Sequence, residues 1–418
     1  MPTPAKYAKE TFWAVAGKFA AGFFYYATVY LLTRRMAIDA WGEWSAFFAI
    51  LNVTLLLSDQ GINSASKRYV AAARDTWELG EVVRTTFMLR LLASIVYAVV
   101  VAVSAQTVLG WLHQPQFLSL IRQALLLIIL FPVLEYFKDL FEALHRLRLN
   151  FVVTTLEYAL KFLFVFVFFR GGTNFGAIVL AFTFAVAIAS TAGAFQALVT
   201  IPRLLASTLR SSLLRKAHLY SVPVMLASLG GLIALEIDVI MLKNLRGNYE
   251  TGIYSAAKQI VMFLPQISLI LSMGTIPGLA TFRPESAMLH RRHYYRVLAG
   301  IAAIYLVACA SLVIFARWGV PLFFPEQYRA AGTPLLILIP FVLFNATTIY
   351  TGNLMIYRGL AWHRSLNAGF ALAANIALNF WLIPIWGPAG SAAASSIAYF
   401  PYCLLNLRAA HRAFEHSA

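Results

Sequence analysis

The sequence predicts an all-α polytopic membrane protein, with twelve transmembrane helices in two six-helix lobes related by a pseudo-two-fold axis along the membrane normal. Three observations lead there. First, 61% of the 418 residues are hydrophobic and only 12% are charged, with a mean hydropathy of +0.73; a soluble domain is about 45–50% apolar and about 25% charged. Second, the apolar residues fall into windows that approach or exceed the roughly 20 residues needed to cross a bilayer's hydrocarbon core. Third, short motifs recur at an offset close to half the chain.

The first six windows are Phe12 to Leu32, Trp41 to Asp59, Thr85 to Val108, Leu118 to Leu140, Phe151 to Phe169 and Phe175 to Val199. The second six are Leu219 to Leu242, Ile253 to Ile276, Val297 to Ala316, Pro334 to Tyr357, Ser365 to Ile385 and Gly390 to Leu407. Pro223, Pro265 and Pro340 interrupt spans and are candidate kinks, because proline removes a backbone donor and crowds the preceding turn. No connection is long enough to hold a separate domain of about 50 residues. Function therefore rests with the bundle.

Gly42-Glu-Trp-Ser45-Ala46 opens the second window and Gly252-Ile-Tyr-Ser255-Ala256 the eighth, with the same Gly-x-aromatic-Ser-Ala spacing. Gly176-Ala177 and Gly390-Ser391-Ala392 likewise open the sixth and twelfth. An even number of helices separates the copies, so the halves share one topology. The expected lobes are residues 1–210 and 211–418. Bundles of this kind commonly transport by rocking their halves about a site between them.

The net charge of +16 fits the positive-inside bias of a membrane protein without invoking nucleic acid. About 21 Lys and Arg lie on the side of the N-terminus and about 8 opposite, which places both termini in the cytoplasm. Among the former are Lys67, Arg84, Arg146, Arg203, Arg283 and Arg296. Cys309 and Cys403 both lie in apolar windows and predict neither a disulfide framework nor a metal site. The first apolar run is longer than a signal-peptide core and lacks a small-residue cleavage site, so it is expected to be retained as a helix.

Several stretches, in order along nearly the whole chain, resemble the polysaccharide-transporter branch of the MOP flippases (Wzx-like). Tyr220-Ser-Val-Pro223, Ile237-Asp238, Gly252-Ile-Tyr-Ser-Ala-Ala-Lys258 and Leu264-Pro265 are similar to that family's central signature. Trp41-Gly42 through Asp59-Gln-Gly61-Ile-Asn63 is similar to its second helix and following loop. Asn375 through Asn379, Ile383-Pro384, Gly387 and Gly390-Ser-Ala-Ala-Ala394 are similar to its last two helices. The resemblance implies a MOP/MATE-like fold in the bacterial inner membrane. It also implies flipping of an undecaprenyl-pyrophosphate-linked oligosaccharide from the cytoplasmic to the periplasmic leaflet by alternating access, for O-antigen or exopolysaccharide assembly, with the polysaccharide polymerase machinery as a candidate partner.

Ionisable groups at membrane depth are costly and mark partners, cavities or transport paths. Lys18, Arg90, Lys161 and Lys258 are the basic residues within spans, and basic groups lining a cavity would ease the passage of an anionic pyrophosphate. Each has a plainer reading. Lys18 and Arg90 are near span ends and can snorkel, Lys161 is four residues beyond Glu157 and suits a helical ion pair, and Lys258 can pair with Asp238 or Glu236. Asp238 and Glu236 are gating or coupling candidates beside Asn375 and Asn379. With Ser395, the set Asp238, Asn375 and Asn379 offers the oxygen ligands a hard cation prefers. Related MOP exporters place a coupling cation in the C-terminal lobe, which makes H+ or Na+ a candidate coupling ion; the reading that the residues themselves favour is hydrogen bonding between helices by the amides.

Glu135, Lys138, Asp139 and Glu142 read as the solvated end of the fourth helix, linked by pairs three and four residues apart. Trp41, Trp111, Trp318 and Trp386 near span ends read as an interfacial belt rather than sugar platforms. No Gly-x4-Gly-Lys-Ser/Thr, His-Glu-x-x-His or Gly-x-Ser-x-Gly motif occurs, so the expectation is a transporter and not an enzyme, without a cofactor. Two alternatives stand beside it. A cation-coupled MATE-like drug exporter would require an acidic and aromatic cavity, and a polysaccharide polymerase or ligase would carry a sizeable periplasmic loop.

Overall fold

The structure is a computed structural model that describes residues 4–415, apart from 75, 77, 202, 203, 205, 206, 263, 266, 270, 273–286, 319 and 359. All regular elements among the described residues are helical. Among the described residues, eight helices are by themselves long and apolar enough to cross a membrane, and nine if one bent pair counts as a single span. The chain divides into two compact units. One comprises Met1–Arg35 with Leu51–Leu226, and the other Met36–Ile50 with Ala227–Ala418.

In the first unit, α1 (Pro4–Arg35), α4 (Leu79–Trp111), α7 (Leu147–Phe168) and α8 (Phe175–Thr200) follow expected windows, each lengthened by a few polar residues. Helix α2 (Ile38–Asp59) is divided, its start belonging to the second unit and its end to the first. At Gln60 and Gly61 the backbone turns left-handed, with φ of 50° and 70°, and the chain re-enters helix as α3 (Ile62–Ala73). Hydropathy alone overlooked α3 because it is amphipathic: Ile62, Ala65, Ser66 and Val70 are buried while Arg68 is exposed. The window from Leu118 to Leu140 expected one helix; instead α5 (Leu118–Gln123) and α6 (Leu125–Ala143) meet at Ala124, and the bent pair turns through 56°.

Helix α6 is the hub of this unit, packing against α3, α4, α7 and α8 through Ile128, Leu134, Phe137 and Phe141, all buried. The approach of α8 is close, since a Cβ at Gly193 would lie 2.9 Å from Phe137 Cβ. Asn63 donates to the carbonyl of Pro132, 3.3 Å away, and fixes α3 on the interior of α6.

The second unit contains α9 (Ser211–Arg246, from Ala227 on), α10 (Asn248–Val261), α11 (Ala287–Trp318), α12 (Gly332–Ile337), α13 (Ile339–Tyr357), α14 (Ala361–Trp386) and α15 (Pro388–Glu415). Two breaks follow the prolines. Pro265 lacks an N–H to donate to Val261, the residue at which α10 ends, and Pro340 likewise has no N–H to donate to Leu336, just before the break at Leu338. Helix α9, by contrast, runs unbroken past Pro223. The end of the eighth expected window, to Ile276, lies outside the described residues, as do Arg203 and Arg283. Helix α15 is central, packing on α10, α12, α13 and α14. Its run of small residues allows this, with Ser391, Ala392 and Ala394 all fully buried.

Candidate functional site

A row of charged residues in the first unit spans α6 and α7. Glu157 is buried, with its side chain 1% exposed. One of its oxygens lies 2.5 Å from Lys161 Nζ and the other 2.6 Å from Lys138 Nζ. Lys138 lies 2.6 Å from Glu135, one turn earlier on α6. The result is an alternating row, Lys161, Glu157, Lys138, Glu135, in which each inner charge touches two opposite ones. Lys161 Nζ also sits 5.1 Å from the ring centroid of Tyr158, 5.4 Å from Phe182 and 5.8 Å from Phe131. Such rings attract a cation through their negative faces. Lys161 is thus held by one carboxylate and three aromatic neighbours.

The pair three residues apart expected at this end of α6 is present, between Lys138 and Glu135, and further pairs reach other helices. Lys67 on α3 pairs with Asp139 at 3.2 Å and with Glu142, and Asn150 on α7 donates to Glu142 at 3.1 Å. Burial alone would favour the neutral amine of Lys67, but Asp139 and Glu142 outweigh it and hold the ammonium above its ordinary range. These pairs connect three helices, which spacing within one helix could not reveal.

Arg90 is fully buried on α4. It donates from Nη2 to the Ser58 carbonyl at 2.6 Å, from Nη1 to the Asp59 carbonyl at 2.7 Å and from Nε to Ser94 Oγ at 3.2 Å. Asp59 Oδ1 is 3.7 Å from Nη1. The carbonyls at the end of a helix lack partners within it, and the planar guanidinium reaches two of them together. Arg90 thereby closes α2 where the chain turns into α3. Lys18 is exposed on α1.

In the second unit, Lys258 pairs with Glu236 at 3.0 Å and donates to the Leu235 carbonyl. Of the two carboxylates open to it, Lys258 takes Glu236. Asp238, 4% exposed, has a different set of partners. Its Oδ2 accepts from Ser395 Oγ at 2.6 Å and from Tyr254 Oη at 2.8 Å, and its Oδ1 accepts from Asn379 Nδ2 at 2.8 Å. Asn379 Nδ2 also lies 2.9 Å from Asn375 Oδ1. Asn375, Asn379 and Ser395 are buried.

The four residues Asp238, Asn375, Asn379 and Ser395, drawn from α9, α14 and α15, therefore form one cluster. Tyr254 joins them from α10. Sequence reasoning missed Tyr254 as a partner, although it lies inside the repeated Gly-x-aromatic-Ser-Ala motif. The bond could not be read from the sequence, because it depends on how α10 folds back beside α9 after the turn at Gly247.

The cluster makes hydrogen bonds between helices, one of the two roles expected of these residues. It holds one carboxylate among neutral oxygen donors, and no Lys, Arg or His lies within ion-pair distance of Asp238 among the described residues. Asn379 Oδ1 is buried without a hydrogen-bond partner, an oxygen left available in a place where an unmet acceptor is costly. No group of three or more His, Cys, Asp or Glu suited to a metal ion occurs among the described residues.

The sequence profile of a family described as polysaccharide biosynthesis protein matches residues 7–283. No curated protein sequence matches the chain. Among solved structures, an inward-facing multidrug resistance MATE family transporter of the MOP superfamily is similar with a TM-score of 0.74 at 14% identity, covering 97% of this chain and 96% of that one. A Vibrio cholerae MATE transporter variant gives a TM-score of 0.69 at 13% identity, covering 99% and 96%. A eukaryotic MATE transporter gives 0.68 at 13% identity, covering 99% and 100%. Identities this low speak to fold alone, so the class is a multi-pass membrane protein with the fold of MATE transporters. Within that class, the chain belongs to the polysaccharide biosynthesis protein family, a polysaccharide flippase family of the MOP superfamily.

Proposed function

We propose that this protein is a flippase that moves undecaprenyl-pyrophosphate-linked oligosaccharides from the cytoplasmic to the periplasmic leaflet of the bacterial inner membrane by alternating access. Both termini are then cytoplasmic, and the product feeds O-antigen or exopolysaccharide assembly, where a polymerase would consume it. The observation that carries the reading is a polysaccharide-family profile over residues 7–283 on a transporter fold. Charged side chains inside that fold support it.

Lys161 is our first choice for the pyrophosphate contact. Its ammonium is 15% exposed and held by one carboxylate, so a phosphate oxygen could replace or join Glu157 as its counter-ion. Arg90 is fully committed to the end of α2, and in this proposal it shapes the path from behind. Lys258 and Glu236 act as a restraint between α9 and α10. Lys18, exposed on α1, is where a headgroup could first be met.

Energy enters through Asp238, Asn375, Asn379 and Ser395, which we assign as the site for Na+ or H+. A buried carboxylate without a cationic partner is a strong reason to recruit one. No step requires catalysis by the chain. The test is leaflet exchange of labelled lipid-linked oligosaccharide in vesicles containing the purified protein, with and without a cation gradient. Acceleration over protein-free vesicles is expected, and its absence refutes the reading. Uptake of organic cations by the same vesicles, without lipid exchange, would transfer the protein to the drug-exporter class.

A further inference from the structure

The carboxylate cluster and the repeated glycine motif meet on one short piece of helix. Gly42 is four residues past the start of α2 at Ile38, and Gly252 is four residues past the start of α10 at Asn248. The two copies pack on each other within the second unit. A Cβ on Gly42 would lie 2.7 Å from Gly252 N and would overlap the Asn248 carbonyl. A Cβ on Gly252 would lie 2.7 Å from Ile38 Cγ2 and would overlap the Ile38 carbonyl. Helices α2 and α10 are thus in backbone contact at their beginnings, with no space for any side chain.

Two residues beyond Gly252, Tyr254 is 1% exposed and donates its hydroxyl to Asp238 Oδ2 at 2.8 Å. The crossing with α2 and the bond to Asp238 therefore belong to one rigid half-turn of helix. We propose that Tyr254 is the positioning residue through which cation occupancy at Asp238 sets the α2–α10 crossing. The inference rests on the cation reading of the Asp238 cluster and extends it by naming what the site controls.

A hydrogen bond to an ionised group is roughly twice as strong as a neutral one. A monovalent cation that neutralises Asp238 therefore loosens the restraint on Tyr254. Ser395, the other donor to Oδ2, has a second acceptor in the Ser391 carbonyl at 3.1 Å on its own helix, so its release is absorbed locally. Lys258 ties α10 to Glu236 and does not touch Asp238, so it cannot report the state of that carboxylate. Because the crossing is backbone against backbone, it has no soft side chain to absorb a shift. Close-packed contacts of this sort change between discrete arrangements.

The test uses the full chain in lipid nanodiscs, with Cys309 and Cys403 replaced by Ala and spin labels at Asp39 and Tyr249, exposed at the starts of α2 and α10. Thermal stability and the distance between labels are measured in Na+ and in choline. The parent protein should be stabilised by Na+ and should shift its distance distribution. Tyr254→Phe should keep Na+ stabilisation, with a midpoint within a few-fold of the parent, and lose the Na+-dependent distance shift. Ser395→Ala should weaken the Na+ midpoint and keep the shift.

Coupling is reciprocal, which supplies a second measurement independent of the folding of Tyr254→Phe. Gly42→Ala should move the Na+ midpoint several-fold by forcing the crossing apart. A Tyr254→Phe protein that shifts like the parent overturns the proposal, as does an unchanged midpoint in Gly42→Ala. Stabilisation of the parent by Na+ without a distance shift overturns this proposal alone. No effect of Na+, or of acidification in choline, on either measurement overturns both it and the cation reading.

Discussion

Lys161 and Glu157 are joined at 2.5 Å on one face of α7, and the same carboxylate reaches across to Lys138 on α6 at 2.6 Å. One acid thus serves two bases inside the first unit. Removing one partner of a buried ion pair costs about 3–5 kcal/mol, because the remaining charge is left uncompensated. Glu157→Gln should accordingly lower stability by about 3 kcal/mol, measured as a shift in thermal unfolding of the detergent-solubilised protein. Adding Lys161→Met to that variant should recover part of the loss, and strictly additive effects would show that the pair is not coupled.

Lys161→Met alone should behave differently. Lys138 remains as a partner for Glu157, so the protein should fold, with leaflet exchange falling at least about tenfold, the equivalent of roughly 1.4 kcal/mol in the barrier. Wild-type exchange in a folded Lys161→Met protein would remove this residue from the path.

Arg90 should show the signature of a helix-end clamp. Arg90→Met leaves the Ser58 and Asp59 carbonyls without their donor, at about 1–3 kcal/mol for each buried group left unmet. Arg90→Lys should rescue only partly, since an ammonium cannot reproduce the planar two-point grip. Thermal unfolding of the two variants decides it, and equal stability of Arg90→Lys and the parent would contradict the clamp.

Asp238→Asn should abolish any dependence of exchange on a cation gradient and any stabilisation by Na+, while Lys161→Met should leave the stabilisation intact. Binding of the ion, followed by thermal shift, separates the two sites. Loss of the Na+ response in Lys161→Met would mean that they are not independent.

Packing provides a control that does not depend on function. Gly193→Ala brings a methyl group to 2.9 Å from Phe137 Cβ and should destabilise by about 1–3 kcal/mol through overpacking. Gly300→Ala and Gly369→Ala, where a Cβ meets nothing within 4 Å, should stabilise their helices by about 0.5–1 kcal/mol. Unfolding temperatures moving in opposite directions would verify the α6–α8 approach.

Much of this was legible from local pattern. An apolar window reports its own transfer from water to lipid, and that energy depends only on the residues in the window. The helices, the membrane class, the breaks at Pro265 and Pro340, and the grouping of Asp238 with Asn375, Asn379 and Ser395 therefore follow from the sequence, the last helped by helical spacing and family resemblance. Amphipathic α3 and the bend at Ala124 were less visible, because a window average erases a one-sided helix and carries no direction.

Partner choice needed the tertiary structure. Lys258 takes Glu236 and leaves Asp238 to Tyr254, Ser395 and Asn379; Arg90 takes two carbonyls; Glu157 takes two lysines. Each choice is settled by distances between helices, over which Coulomb and hydrogen-bond energies change steeply. Composition determined that these charges lie in a membrane protein. Only the fold determined which of them meet opposite charges, and which carboxylate is met by neutral hydrogen-bond donors alone.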